Sequence, residues 1–117
     1  MCGRYVNVTK VKEIEKRFGV AANGLQIKQS ANVSAGQLAP VITNATPKEL
    51  SMLTFGFTPS WAKKKMYVIN ARSEGDHNKE DDVNYHGAKG IISKPMFRSS
   101  IRSKRCLVIA DAFIEGP

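Results

Sequence analysis

Cys2 stands directly behind the initiator methionine, in the segment Met1-Cys2-Gly3-Arg4-Tyr5. Once Met1 is removed, Cys2 carries a free α-amine and a thiol on one Cα. The amine has an unperturbed pKa of about 8, so a useful fraction is neutral near pH 7. The thiolate is intrinsically nucleophilic. Such a 1,2-aminothiol condenses with aldehydes: the amine forms a Schiff base and the sulfur closes a five-membered thiazolidine. An internal cysteine cannot do this. The competing reading makes Cys2 a small buried hydrophobe.

Three further groups of residues bear on that chemistry. Arg4 lies two residues on, and in an extended segment it shares a face with Cys2. Its guanidinium suits a phosphate held beside the nucleophile, although a surface salt bridge is the commoner fate of an arginine. Pro59-Ser60-Trp61-Ala62-Lys63-Lys64-Lys65 places the only tryptophan beside three lysines. Aromatic stacking with backbone attraction suits a single-stranded nucleic acid; a core role is the alternative for Trp61. Asn70-Ala71-Arg72-Ser73-Glu74 offers an amide that can orient an amine or a developing oxygen, and a second phosphate grip in Arg72. Glu115 follows Phe113 and Ile114, an apolar setting that favours general acid–base work by its carboxyl. The ordinary alternative is an exposed carboxylate.

These residues need elements to position them. Residues 3–8 read as extended. Thr9 is a fitting N-cap for a helix over residues 10–18, with Gly19 as its stop and Val11, Ile14 and Phe18 on its apolar face. Residues 20–37 read as loop. Residues 38–43 form a candidate strand in which Pro40 points to an edge or to the strand's start. Residues 50–57 and 67–70 read as strands, with Thr58-Pro59-Ser60-Trp61 ending the first. Residues 73–90 read as an exposed acidic loop. Pro95 is placed to open a helix, with Phe97 and Ile101 four apart. Residues 106–114 are the most strand-like run, expected as one buried strand. The sum is an α+β or mostly β domain of short strands with a few short helices.

A chain of 117 residues is the size of one domain. It has no apolar run of membrane-spanning length and no secretory h-region, so a cytoplasmic protein with reduced Cys2 and Cys106 is expected. No spacing of Cys and His implies a metal, and no cofactor is implied. The charge is informative: 18 basic against 10 acidic residues give +8. Between Lys16 and Ser73 the only acid is Glu49, and between Val83 and Ala110 there is none, where Lys89, Lys94, Arg98, Arg102, Lys104 and Arg105 fall. The acids gather at Glu74, Asp76, Glu80, Asp81 and Asp82. A basic surface broken by one acidic loop suits a polyanion such as nucleic acid.

Taken in order, the segments Met1-Cys2-Gly3-Arg4-Tyr5, Gly56-Phe57-Thr58-Pro59-Ser60-Trp61-Ala62-Lys63, Ile69-Asn70-Ala71-Arg72-Ser73-Glu74, Phe97-Arg98 and Arg105-Cys106-Leu107-Val108-Ile109-Ala110-Asp111-Ala112-Phe113-Ile114-Glu115 resemble the SRAP family, the SOS response-associated peptidase domain. The resemblance implies a barrel-like sheet of short strands and a basic cleft for single-stranded DNA. It implies that Cys2, after Met1 removal, attacks the ring-opened aldehyde of an abasic site and leaves a thiazolidine crosslink. It assigns reaction-centre roles to Asn70 and Glu115, phosphate contacts to Arg4 and Arg72, and DNA support to Trp61; Lys63 joins that basic loop. The peptidase name refers to removal of residues ahead of the cysteine.

The chain departs from the family pattern in two places. Gly116 and Pro117 follow Glu115 where the family usually has Trp, and residues 75–93 look like an insertion in a compact loop. A family domain is nearly twice this length and carries, in its second half, a histidine that works with the glutamate. His77 and His86 lie outside that motif and take no role. The chain therefore reads as one partial domain over residues 1–117, incomplete at its C-terminus, with an exposed loop at residues 73–93. Three functions compete: an abasic-site crosslinking enzyme, a non-catalytic single-strand-binding remnant, and a protein completed by a second chain or a missing C-terminal half.

Overall fold

The first strand, β1 (Arg4–Asn7), buries Tyr5 and Asn7 while Arg4 faces out, the period-two alternation expected of a strand with one covered face. The computed structural model describes residues 3–74, 80, 82–84, 86–87 and 89–115. The strands lie in two antiparallel three-stranded sheets. In one, β1 is central between β2 (Ser30–Val33) and β6 (Ala112–Ile114). In the other, β3 (Leu38–Thr43) is central between β4 (Ser51–Thr54) and β5 (Cys106–Val108). The described strands close no barrel; the α+β class holds, with two short sheets in place of one barrel-like sheet.

Helix α1 (Val11–Phe18) ends as expected at Gly19, whose φ of 63° is left-handed and whose N–H donates to the Glu15 carbonyl. Its start differs from the expectation. Lys10 takes the N-cap position without a side-chain cap bond. Thr9 is diverted, because its hydroxyl and its N–H both donate to the Asp111 carboxylate. Ile14 is the buried residue of α1 and packs with Val20, Ala22, Ile42, Leu50 and Ile109. A second cluster joins the two sheets: Tyr5 and Val33 from one meet Ala39 from the other, with Phe55 against them. The Tyr5 and Phe55 rings meet edge to face at 5.2 Å.

Several sequence expectations change. Residues 20–37 are not all loop, because β2 forms where Tyr5 offers a partner to Val33. Pro40 lies in a central strand, yet β5 pairs only with Val41–Thr43, so Pro40 sits where β4 alone flanks β3. The run 67–70 supplies one bridge, Phe57 to Val68, and the preceding strand stops at Thr54. Helix α2 (Arg98–Ser103) starts three residues after Pro95.

The largest change concerns residues 106–114. They form two strands in different sheets, and both are exposed. Ile109, between them, turns into the first core cluster. The buried Asn7 amide donates to the Ile109 carbonyl at 3.1 Å, and the Asp111 N–H donates to the Val6 carbonyl at 2.8 Å. These bonds divert the chain from one sheet to the other, which a single strand does not do.

Candidate functional site

Pairing of β1 with β6 runs Arg4 to Ile114, Tyr5 to Phe113 and Val6 to Ala112. That register brings the segment holding Arg4 beside the segment holding Glu115. Gly3 sits tightly against a third segment: a methyl added there would lie 2.9 Å from Ile69 Cδ1, next in sequence to Asn70. Residues 3–4, 69–70 and 114–115 thus converge through backbone register and one close packing contact. Cys2 and its Met1 neighbour lie outside the described residues, as do His77, Gly116 and Pro117.

Arg4 and Glu115 are exposed and Asn70 is half-buried. The apolar enclosure expected around Glu115 is not formed, since Phe113 is 71% and Ile114 41% exposed. Arg72 is also exposed, and its Nη2 lies 3.0 Å from Glu74 Oε1. Glu74 is half-buried and its other oxygen accepts from the Ser73 hydroxyl at 3.2 Å, so the carboxylate that engages Arg72 is held in place. The sequence reading missed this partner, although Glu74 lies only two residues away.

Trp61 and Lys63 stand on a loop closed by paired backbone bonds between Phe57 and Val68, at 2.8 and 3.0 Å. The Thr58 hydroxyl donates to the Met66 carbonyl and accepts from the Met66 N–H, closing a second rung. Gly56 makes the base of the loop possible. Its φ is 108°, and a Cβ there would lie 2.8 Å from Tyr67 Cβ and 3.1 Å from Tyr67 Cα. Trp61 is not core: it is 61% exposed, and its Nε1–H donates to the Pro95 carbonyl at 3.4 Å. Lys63, Lys64 and Lys65 are exposed around it. A fixed, exposed indole among cations offers a stacking face for a base with charge for its backbone.

Asp111 is the residue that sequence reasoning passed over. Its Oδ2 accepts from the Val8 N–H at 2.7 Å and the Thr9 N–H at 3.2 Å, and its Oδ1 from the Thr9 hydroxyl. The Thr9 hydroxyl first, then the Val8 N–H, hold this carboxyl below the usual aspartate range. Tyr5 shows the opposite effect: burial, then the charge of Cys106, pushes its phenol up, so it stays neutral in the core. Clefts of about 440, 540 and 350 Å³ occur elsewhere, and none of these three is lined by Arg4, Trp61, Asn70, Arg72 or Glu115. Among the described residues no three His, Cys, Asp or Glu side chains group as a metal site.

A family model described as SOS response associated peptidase (SRAP) matches residues 1–116. The chain belongs to the SRAP family. It is 30% identical over 122 residues to "Abasic site processing protein YoqW" of Bacillus subtilis (strain 168), covering 98% of this chain and 47% of that protein. It is likewise 30% identical to "Abasic site processing protein YoaM", and 28% identical to "Abasic site processing protein YobE", which it covers to 48%, both of the same organism. The chain spans about half the length of the curated relatives it matches. No solved structure matches it.

Proposed function

We propose that this chain binds single-stranded DNA and captures abasic sites through Cys2 after Met1 removal, with associated self-processing of its N-terminus, in the cytoplasm. The observation that carries this reading is the register of β1 against β6, which sets the segment following Cys2 beside the segment leading to Glu115. The names of the similar proteins, all abasic site processing proteins, support the substrate class.

In this reading the α-amine of Cys2 adds to the ring-opened aldehyde carbon. Loss of water gives a Schiff base, and the thiol adds across the C=N bond, its proton passing to nitrogen. The net change is one water lost for one C–N and one C–S bond formed. Glu115 delivers and recovers the protons that the carbinolamine needs. Asn70 orients the amine through its amide. Arg4 and Arg72 hold phosphates on either side, and Trp61 with Lys63 supports the strand.

The test is incubation of the Met1-processed protein with a single-stranded oligonucleotide carrying an abasic site. A heat-stable adduct of combined mass less one water is expected, and Cys2→Ala abolishes it. A folded, processed chain that yields no adduct sinks the capture chemistry.

A second reading is a single-stranded DNA-binding protein without the capture chemistry, in keeping with the exposed Trp61 among Lys63, Lys64 and Lys65. It predicts salt-sensitive single-strand binding with no preference for abasic sites and no adduct. A third reading is assembly, in which a second chain meets the exposed strands β5 and β6.

A further inference from the structure

We propose that α2 provides a second nucleic-acid contact, in which Arg98 and Arg102 take the backbone phosphates of a DNA strand continuing past Trp61. This rests on the reading that the ligand is DNA, and gives a contact role to a helix whose residues the resemblance left without one.

The helix is short, Arg-Ser-Ser-Ile-Arg-Ser, and one side of it is spent on packing. Phe97 is buried and Ile101 half-buried. The Phe97 ring lies 5.4 Å from that of Phe57, at the base of the Trp61 loop. Arg98 and Arg102 each follow one of these packed residues, so both are rotated by about 100° from the packed stripe and share a face, about 6 Å apart along the axis. Both are exposed, and neither meets an acidic partner among the described residues. The intervening residues Ser99 and Ser100 are small and leave that face uncrowded.

Position distinguishes this pair from an ordinary solvated helix. The Pro95 carbonyl accepts from Trp61 Nε1, which ties the start of α2 to the stacking loop. The Ile91 N–H donates to the Ser73 carbonyl at 3.0 Å, which ties the segment ahead of α2 to the residue after Arg72. At the far end the Asn44 amide donates to the Ser103 carbonyl and its oxygen accepts from the Arg105 N–H, each at 2.9 Å. The two arginines therefore stand on a helix already held at both ends, so little backbone freedom is lost when a strand lands. Guanidinium forks are suited to phosphate.

The test is the salt dependence of binding to an undamaged thymidine homopolymer, followed by fluorescence anisotropy. Three proteins are compared: wild type, Arg98→Ala/Arg102→Ala, and Lys12→Ala/Lys16→Ala, which removes the same charge from exposed positions of α1. Loss of two phosphate contacts lowers the slope of log K against log salt by about 1.4 for a single strand. That change is expected in the α2 variant alone, with the slope restored in Arg98→Lys/Arg102→Lys. Equal slopes in the two alanine variants, or no binding by wild type, would overturn the inference. Adduct formation with abasic DNA is scored separately. A slope difference without any adduct upholds α2 and removes the capture chemistry, whereas an adduct without a slope difference does the reverse.

Discussion

The Asp111 carboxylate holds Thr9 twice, through its backbone N–H and through its hydroxyl, across 102 positions of sequence. Because these bonds are made to the ionised form, the folded-state pKa lies below that of the unfolded chain, about 3.9. The contribution is therefore present above the unfolded pKa and is lost as pH falls through the folded one. We expect Asp111→Ala to lower the urea midpoint at neutral pH, and to make the decline of stability below about pH 4 shallower than in wild type. A series of urea titrations checks this; parallel pH profiles would refute it.

Ile14 is the point at which α1 enters the core, against Val20, Ile42, Leu50 and Ile109. Ile14→Ala leaves a cavity there and is expected to cost about 2–5 kcal/mol, measured by chemical unfolding. Because Ile14 is remote in role from the basic loop, single-strand affinity of the remaining folded protein stays unchanged.

Trp61 is the only tryptophan, so its fluorescence reports on the candidate stacking face without interference. Quenching on addition of a single strand is expected. Trp61→Ala loses about 1–3 kcal/mol per stacked base, roughly 5- to 150-fold in Kd, and Trp61→Phe recovers most of it. Unquenched fluorescence at saturating DNA would remove Trp61 from the interface.

The Arg72–Glu74 pair gives a prediction of opposite sign. Glu74→Gln removes a carboxylate 3.0 Å from the guanidinium and is expected to tighten DNA binding by at least about 1.5- to 5-fold, the range of a surface ion pair. Arg72→Ala weakens it. If Glu74→Gln and wild type bind alike at low salt, Arg72 is not a phosphate contact.

Local signals were legible in the sequence where local physics decides the outcome. Gly19 stops α1 because left-handed backbone favours glycine, and Ile14 is core because its spacing puts it on the apolar face. The ordered motifs around Cys2, Trp61, Asn70 and Glu115 were enough for the family. What stayed hidden depends on distant partners. Thr9 has the chemistry of a cap, and only the arrival of Asp111 diverts it. The run 106–114 is strand-like on either side of Ala110-Asp111, and its division between two sheets is set by the bonds to Asn7 and Val6. Residues 30–33 carry weak strand propensity and pair because Tyr5 and Asn7 lie opposite.

The pairing of β1 with β6 also has a timing. The buried Asn7 amide meets the Ile109 carbonyl 102 positions later in the chain. At about 5–20 residues per second, a ribosome needs on the order of 5–20 s to make that stretch. During that interval the N-terminal segment stands without its C-terminal partner strand. β1 therefore waits with one edge unpaired until β6 emerges, so the strand that leads to Glu115 is the last of this sheet to arrive.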